Sequence, residues 1–489
     1  MEVAAVPKRG ERHSKEAVPL YRQIQEELRT KIVTGEWPPG TRVPPQRQLA
    51  ERYGVNRSTI VYALGGLAAD GWLRAEVGRG TTVAADVWRA GADSPPPDWG
   101  RYVRDGLHAP NLELIRQIND AEPDPSLLRL GTGELAPELL PSAGMQRLLA
   151  ERPGKLPLAY PEPRGSLRLR EAVSERLEAK GIRASPSSVL IVSGALQGLQ
   201  LIALGLMRHG STLLAEQTSY LGSVQVFRTA GVKLIGVPLD RSGMRDDEAR
   251  SLAARHRASM LYVQPSFHNP TGIVMPERRR EKLLQACVGA GLPVIEDDVY
   301  DDLWHEGPPP AALKARDRQG LVLYLDSVSK SLGPGLRIGW IAGPEPVIER
   351  LADVKMKSDY GSSSLSQHAV AEWLASGEQE RHLAFLRAEL KARRDLALAA
   401  LREHASDLAD WSAPQGGFYI WLALRRPLPM PKLFEAALRA GLLIHPGEVY
   451  ARGDRQHLRL SFAYAPPALL REGIRELAAL IRPFDSRNK

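Results

Sequence analysis

Six short apolar runs, rich in branched side chains and separated by helix-like stretches, restrict the fold more than anything else in the sequence. They occupy residues 189–192, 212–215, 233–237, 261–264, 293–296 and 321–325. Strands that are apolar throughout, alternating with helices at about the βαβ period, imply a mostly parallel sheet covered on both faces. After Leu351 the pattern changes to long helices rich in Ala, Leu, Arg and Glu, followed by short strands around 417–421 and 457–462. A large α/β domain with a smaller α+β one is the simplest packing of that order. Residues 188–207, SVLIVSGALQGLQLIALGLM, resemble a membrane span in length. Gln197, Gln200 and the small-residue turn at Ser193 and Gly194 fit a buried strand leading into a helix better.

The chain has 489 residues, of which 43% are hydrophobic and 25% charged. That balance excludes disorder, and the length suggests about three domains. Its one cysteine, Cys287, excludes an intrachain disulfide and a multi-cysteine zinc site, and no metal site is expected. The opening residues MEVAAVPKRGERHSKEA hold no apolar run of signal-peptide length. A protein of the reducing cytoplasm is expected. Cys287 lies in a helix-like stretch and reads as core; His268 reads as a residue behind a site or on the surface.

Basic charge is concentrated at the start. Residues 1–85 hold 13 Lys and Arg against 9 Asp and Glu, half of the chain's net charge of +8 in under a fifth of its length. Leu20, Ile24, Leu28 and Ile32 recur every four residues, so a helix turns one stripe to a core. Gly35 and Pro38-Pro39-Gly40 end it. Residues 46–52 read as a short helix with Leu49 and Ala50 inward, broken by Gly54. Asn56 can cap a third helix with Ile60, Leu64 and Leu67 inward and Arg57, Ser58 and Thr59 in its first turn. Two short helices joined by a tight glycine turn form a helix-turn-helix, whose second helix presents its first residues to base edges. Residues 72–77 and 81–83 then flank Gly78-Arg79-Gly80 as a hairpin with a basic tip.

The run PLYRQIQEELRTKIVTGEWPPGTRVPPQRQLAERYGVNRSTIVYALGGLAADGWL, with GRGT after it, resembles the winged helix-turn-helix of GntR-type transcription regulators over about residues 18–84. The resemblance implies contacts with double-stranded operator DNA from Arg47, Arg57, Ser58 and Thr59, with Arg79 and Gly80 of the wing in or near the minor groove. Arg57 suits a guanine edge, while Ser58 and Thr59 suit phosphate. Val61 stands where some members carry a further arginine.

Between Ala84 and Asp98 the stretch AADVWRAGADSPPPD ends in three prolines, which favour extended polyproline geometry and a semi-rigid spacer. The expected division is a disordered tail at 1–17, a DNA-binding head at 18–85, a linker at 86–109 and a body at 110–485. Within the body a large domain covers about 145–345 and a small domain takes the remainder.

Chemistry collects after the strands. Residues 189–192 lead into Ser193-Gly194-Ala195-Leu196, a helix start able to hold phosphate. Residues 261–264 lead to His268-Asn269-Pro270-Thr271-Gly272, residues 293–296 to Asp297 and Tyr300, and residues 321–325 to Ser327, Lys330 and Arg337. A phosphate cradle, an Asn, an Asp, a Tyr and a Lys at strand ends are what pyridoxal 5′-phosphate requires: a lysine to form a Schiff base and an acid to keep the pyridine nitrogen protonated.

Tyr160 with Gly165, Ser193-Gly194-Ala195, NPTG, EDDVY, SVSK and PGLRIGW, in that order, resemble the fold-type I, aspartate aminotransferase-like pyridoxal-phosphate enzymes over roughly residues 110–485. The resemblance implies that Lys330 is the Schiff-base lysine and Asp297 the partner of the pyridine nitrogen. It puts Asn269 and Tyr300 on the ring 3′-oxygen and stacks Tyr220 on the ring. The amides of Gly194, Ala195 and Leu196, with Ser327 and Arg337, hold the phosphate, and Tyr160 reaches the phosphate of a neighbouring subunit. Arg459, in LRLSF, clamps an amino acid's carboxylate, a bidentate task suited to guanidinium. Two departures stand out: Thr218 replaces a usual proline before the stacking tyrosine, and Ala195 and Leu196 offer the phosphate no polar side chain.

A GntR-like head on such a body resembles the MocR-type bacterial regulators. The resemblance implies a homodimer, often head-to-tail, that carries pyridoxal phosphate and senses an amino compound or the cofactor itself. The alternatives are an aminotransferase that turns over and carries a DNA-binding head, and a body without cofactor that serves only to dimerise.

Overall fold

A computed structural model describes residues 19–76, 80–85, 99, 101–102, 112–151 and 158–486. The expected tail at 1–17, the wing-tip residue Arg79 and most of the 86–109 linker lie outside the described residues. The chain divides into two compact units, residues 1–107 and 108–489.

In the first unit the helices α1 (Leu20–Val33), α2 (Gln46–Tyr53) and α3 (Arg57–Ala69) surround one small core, closed by the antiparallel strands β1 (Leu73–Glu76) and β2 (Gly80–Val83). Ile24, Leu28 and Ile32 of α1 meet Leu49 of α2 and Ile60, Ala63, Leu64 and Leu67 of α3. Leu20 shares the spacing but is 50% exposed, because the helix begins before it reaches the core. Gly54 ends α2 in left-handed backbone at φ 62°, where a residue without Cβ is least strained. Asn56 precedes α3 as expected, yet its side chain makes no capping hydrogen bond.

The second unit is built on seven strands: β3 (Val189–Val192), β4 (Thr212–Glu216), β5 (Lys233–Val237), β6 (Met260–Val263), β7 (Val294–Asp297), β8 (Val322–Ser327) and β9 (Gly339–Ala342). Their order across the sheet is β3-β9-β8-β7-β6-β4-β5. Only β9, which had no counterpart among the expected strands, runs antiparallel to its neighbours. The other six match the expected runs, two of them at both ends and four with ends displaced by one or two residues. Alternate residues serve opposite faces: Leu190 and Val192 join one core, Val189 and Ile191 another.

The helix α4 (Glu113–Ala121) packs into a separate core, together with the long helix α5 (Glu378–His404), strands β10 (Tyr419–Leu424) and β11 (His457–Ser461) and the last helix, Pro467–Ser486. β10 and β11 pair antiparallel inside a four-stranded sheet. Among the described residues no helix is long and apolar enough to cross a membrane.

Candidate functional site

Six of the seven strands point the same way, so residues just past their C-terminal ends gather along one edge of the sheet. β3 turns through Ser193 and Gly194 into a helix, Ala195–Leu206. Gly194 has φ 84° and ψ 163°, a region that residues with side chains hardly enter. A Cβ there would lie 2.7 Å from the Arg337 guanidinium. The glycine therefore lets Arg337 lie across the turn, with Nη2 donating to Ser193 O at 2.8 Å. Gly194's own amide donates back to Val192 O at 2.9 Å. The next two amides, of Ala195 and Leu196, open the helix and have no acceptor one turn earlier. The Ser327 hydroxyl donates to Ile338 O at 2.9 Å and accepts from the Ser329 amide at 3.1 Å.

Asp297 is the last residue of β7 and 2% exposed. Its Oδ2 accepts from the Tyr262 hydroxyl at 2.7 Å, while Oδ1 is buried without a hydrogen-bond partner. Burial pushes its pKa from 3.8 up to about 6, against the opposing pull of the Tyr262 bond. A buried carboxylate oxygen left unmatched is costly, and a cation or donor placed beside it would relieve that cost. Lys330 Nζ donates to Gly133 O at 2.7 Å and lies 5.8 Å from the centre of the Tyr300 ring. The Tyr300 and Tyr419 hydroxyls are 2.8 Å apart. Ala195, Leu196, Tyr220, Asn269, Asp297, Tyr300, Ser327, Lys330 and Arg337 all line one cavity of about 150 Å³.

Leu196, Tyr220, Asn269 and Lys330 also line a larger cavity of about 740 Å³, which has Arg459 on its wall. Arg459 comes from β11 and is buried. Its Nη1 donates to Asn269 Oδ1 at 2.8 Å, and its Nη2 to Gly131 O at 2.6 Å and to His445 Nδ1 at 3.2 Å. A guanidinium only donates, so His445 Nδ1 accepts and the imidazole is the neutral form protonated on Nε2. Burial and the Arg459 charge hold the His445 pKa well below its ordinary value, in agreement. The rings of Tyr419 and Tyr450 lie 4.2 and 4.7 Å from the guanidinium carbon. Nε has no partner, and the three hydrogen bonds of the other nitrogens go to an amide oxygen, a backbone carbonyl and an imidazole. Arg459 is thus a buried cation whose hydrogen bonds go to neutral acceptors, an arrangement that an anion beside it would relieve.

Other expected residues fall elsewhere. Tyr160 is 81% exposed and packs its ring 5.0 Å from that of Tyr360, outside both cavities. His268 is fully buried rather than on the surface, with Nδ1 2.7 Å from Thr271 Oγ1. Cys287 is buried as expected, and burial pushes its thiol up to about 12, which makes it inert. Tyr262, Tyr419, His445 and Tyr450 were not singled out in the sequence. The one local signal for any of them is a polar ring inside an otherwise apolar strand, at Tyr262 and Tyr419.

In the head, the first turn of α3 exposes Arg57 and Ser58 and half-buries Thr59. Arg57 Nε and Nη2 both donate to Gln46 Oε1 at 3.1 Å, tying α3 to the start of α2. Arg47 stands in solvent beside Glu51, at 3.4 Å. Val61 and Tyr62 continue the exposed face one turn on, Tyr62 at 71% exposure, and Tyr62 too escaped sequence reasoning. Gly80 opens β2 at φ 89°, and the Arg42 guanidinium passes 3.2 Å from where its Cβ would stand.

The family model for aminotransferase class I and II matches residues 125–477, and that for bacterial regulatory proteins of the gntR family matches residues 20–83. The HTH-type transcriptional regulator YisV of Bacillus subtilis is 47% identical over 469 residues, covering 96% of this chain and 97% of the relative. NorG of Staphylococcus aureus, also an HTH-type transcriptional regulator, is 33% identical over 86% of this chain and 95% of its own. Among solved structures, Pyrococcus horikoshii kynurenine aminotransferase superposes with a TM-score of 0.75 at 30% identity, covering 80% of this chain and 99% of that one. LysN, the α-aminoadipate aminotransferase of Thermus thermophilus, gives 0.73 at 29%, covering 80% and 100%. With a gntR-family head and a class I and II aminotransferase body in one chain, the protein belongs to the HTH-type transcriptional regulators of the MocR type.

Proposed function

We propose that this regulator binds pyridoxal 5′-phosphate in the smaller cavity and admits an amino compound to the larger one. That event changes how its head binds double-stranded operator DNA. The observation that carries the reading is the unmatched Asp297 Oδ1, buried in the cavity that also holds Lys330 and Arg337. When bound, the cofactor supplies a carbonyl carbon to which amines add and an electron-withdrawing ring.

Lys330 Nζ attaches the cofactor, and Asp297 holds a proton on the pyridine nitrogen. Asn269 and Tyr300 bond the ring oxygen, and Tyr220 stacks on the ring. The helix start at Gly194, Ala195 and Leu196 takes the phosphate with Ser327 and Arg337. Arg459 orients the carboxylate of the amino compound. The working form is a cytoplasmic homodimer in which Tyr160 reaches the partner's phosphate. In the head, Arg57 reads a base edge, Ser58 and Thr59 hold phosphate, Arg47 adds a further DNA contact, and Arg79 and Gly80 of the wing enter or approach the minor groove. A ligand with different affinities for two states of the body shifts their equilibrium, and with it operator affinity, by at most the ratio of those affinities.

Adding the cofactor to purified protein is expected to give a visible absorption band that Lys330→Ala abolishes. Operator binding with and without the cofactor and candidate amines is expected to differ. A wild type that stays colourless refutes the reading. The second reading, an aminotransferase that turns over, is favoured by Asn269 and Arg459 standing together at the site. Sustained keto-acid production from an amino acid and 2-oxoglutarate would establish it.

A further inference from the structure

We infer that the amino compound taken by the larger cavity carries a second, cationic group at the end of an aliphatic stem, as lysine and ornithine do. The inference rests on the function proposed above and concerns the part of the cavity beyond Lys330 and Arg459.

The segment Gly131–Gly133 fixes the geometry. Gly131 O accepts from Arg459 and Gly133 O from Lys330. Thr132, between them and fully buried, donates its hydroxyl to Glu122 Oε1 at 2.9 Å. Successive Cα atoms are about 3.8 Å apart, so the Glu122 carboxyl is anchored one residue from the contacts of both cations. Oε1 is engaged by Thr132, and Glu122 lines the larger cavity. Glu134, exposed and next to Gly133, lines the same cavity.

Charge decides the ligand. Among the described residues, the only cationic side chains on that wall are Lys330 and Arg459, and His445 is neutral. Those two serve the amine and the carboxylate common to every α-amino acid. The two glutamates have no such duty, and the nearest unassigned feature of a ligand is its far end. The cavity also offers apolar surface, from Ile115 and Ile118 of α4, both nearly buried, and from Val224 and Val449, among neutral polar side chains such as Asn119 and Thr229. A methylene stem fits such a surface, with a charged head beyond it. A side-chain carboxylate would meet Glu122 and Glu134 instead, a like-charge contact that excludes acidic amino acids.

The test titrates the full chain, loaded with pyridoxal 5′-phosphate, with lysine, ornithine, norleucine and glutamate. Two readouts are followed: the cofactor's absorption change and the shift of the thermal midpoint. Lysine or ornithine is expected to bind roughly tenfold or more tighter than norleucine, the worth of one charge-assisted hydrogen bond. Glu122→Gln, which keeps the bond from Thr132, is expected to shrink that ratio, and Glu122→Gln with Glu134→Gln to erase it. Glu134→Lys is expected to raise glutamate's affinity. Equal binding of lysine and norleucine, or glutamate binding best to wild type, overturns the inference. So does equal weakening of every ligand by Glu122→Gln, which would make Glu122 only a counter-charge to Arg459. If the cofactor binds and no amino acid moves either readout, the amino-compound reading fails with it; if the cofactor does not bind, the proposed function itself falls.

Discussion

Asp297 offers the sharpest test, because the cost of keeping it charged can be worked from the structure. Burial raises its pKa from 3.8 to about 6. At 1.36 kcal/mol per unit, holding the carboxylate ionised costs the ligand-free fold about 3 kcal/mol. The sign follows from linkage: the folded state binds the proton more tightly than the unfolded state, so stability falls as pH rises from 3.8 to about 6 and is level above. Asp297→Asn removes the charge and keeps an acceptor for Tyr262. Its amide nitrogen lacks an acceptor of its own, which offsets about 1–2 kcal/mol. The cofactor-free variant is therefore expected to be more stable than wild type by about 1–2 kcal/mol at pH 8. That advantage should disappear, or reverse, toward pH 4. Denaturant unfolding of the cofactor-free body at the two pH values measures both numbers. Saturating pyridoxal 5′-phosphate should reverse the order at pH 8, since only wild type gains an ion pair. A variant no more stable than wild type at pH 8, or equally stabilised at both pH values, refutes the reasoning.

Gly194→Ala forces a side chain into Gly-only backbone and against Arg337. With strain of about 1–3 kcal/mol, cofactor affinity should fall roughly tenfold or more. Gly291→Ala, at φ 59° with open space around it, is the control and should cost stability without touching affinity. Arg57→Ala should weaken specific operator binding by about 1–3 kcal/mol, as read in a gel-shift titration against random DNA; equal loss on both would assign Arg57 to phosphate. Methylamine has an amine but no carboxylate, so it should alter the cofactor's absorption without engaging Arg459. It should leave operator affinity unchanged under conditions where an effective amino acid changes it, and an equal effect would remove Arg459 from the switch.

How much of this was legible depends on whether a feature is written locally. The six strands of the sheet were readable because each is an uninterrupted apolar run, and their ends slipped only where strand passes into turn. β9 went unread because its first two residues, Gly339 and Trp340, close the PGLRIGW motif, whose chemistry draws attention from its conformation. Asp297 and Lys330 were legible because each falls at or just past the end of a recognisable strand, and Arg337 because it belongs to the PGLRIGW motif. The Arg459 surroundings were not: Gly131, Tyr419 and the pair His445 and Tyr450 come from three separate segments and meet only through tertiary packing. Leu20 shows the converse failure, since periodicity continues one turn beyond the core that gives it meaning.

The two unmatched groups also explain why such a body can serve a switch. Asp297 lies on the large sheet with its Oδ1 unmatched; Arg459 lies on the small one with its Nε unmatched. Each is costly alone, and the costs are relieved by opposite charges. A molecule that satisfies both must span the two sheets, which already touch through the bond from Arg459 to Asn269. Ligand binding is thereby tied to the arrangement of the two sheets rather than to either one. A ligand held equally by two arrangements shifts nothing, however tightly it binds. On the proposed function, a ligand whose carboxylate needs Arg459 while its amine needs the cofactor held at Lys330 is bound best in the arrangement that keeps both in reach, and that difference in affinity is the free energy a regulator has available.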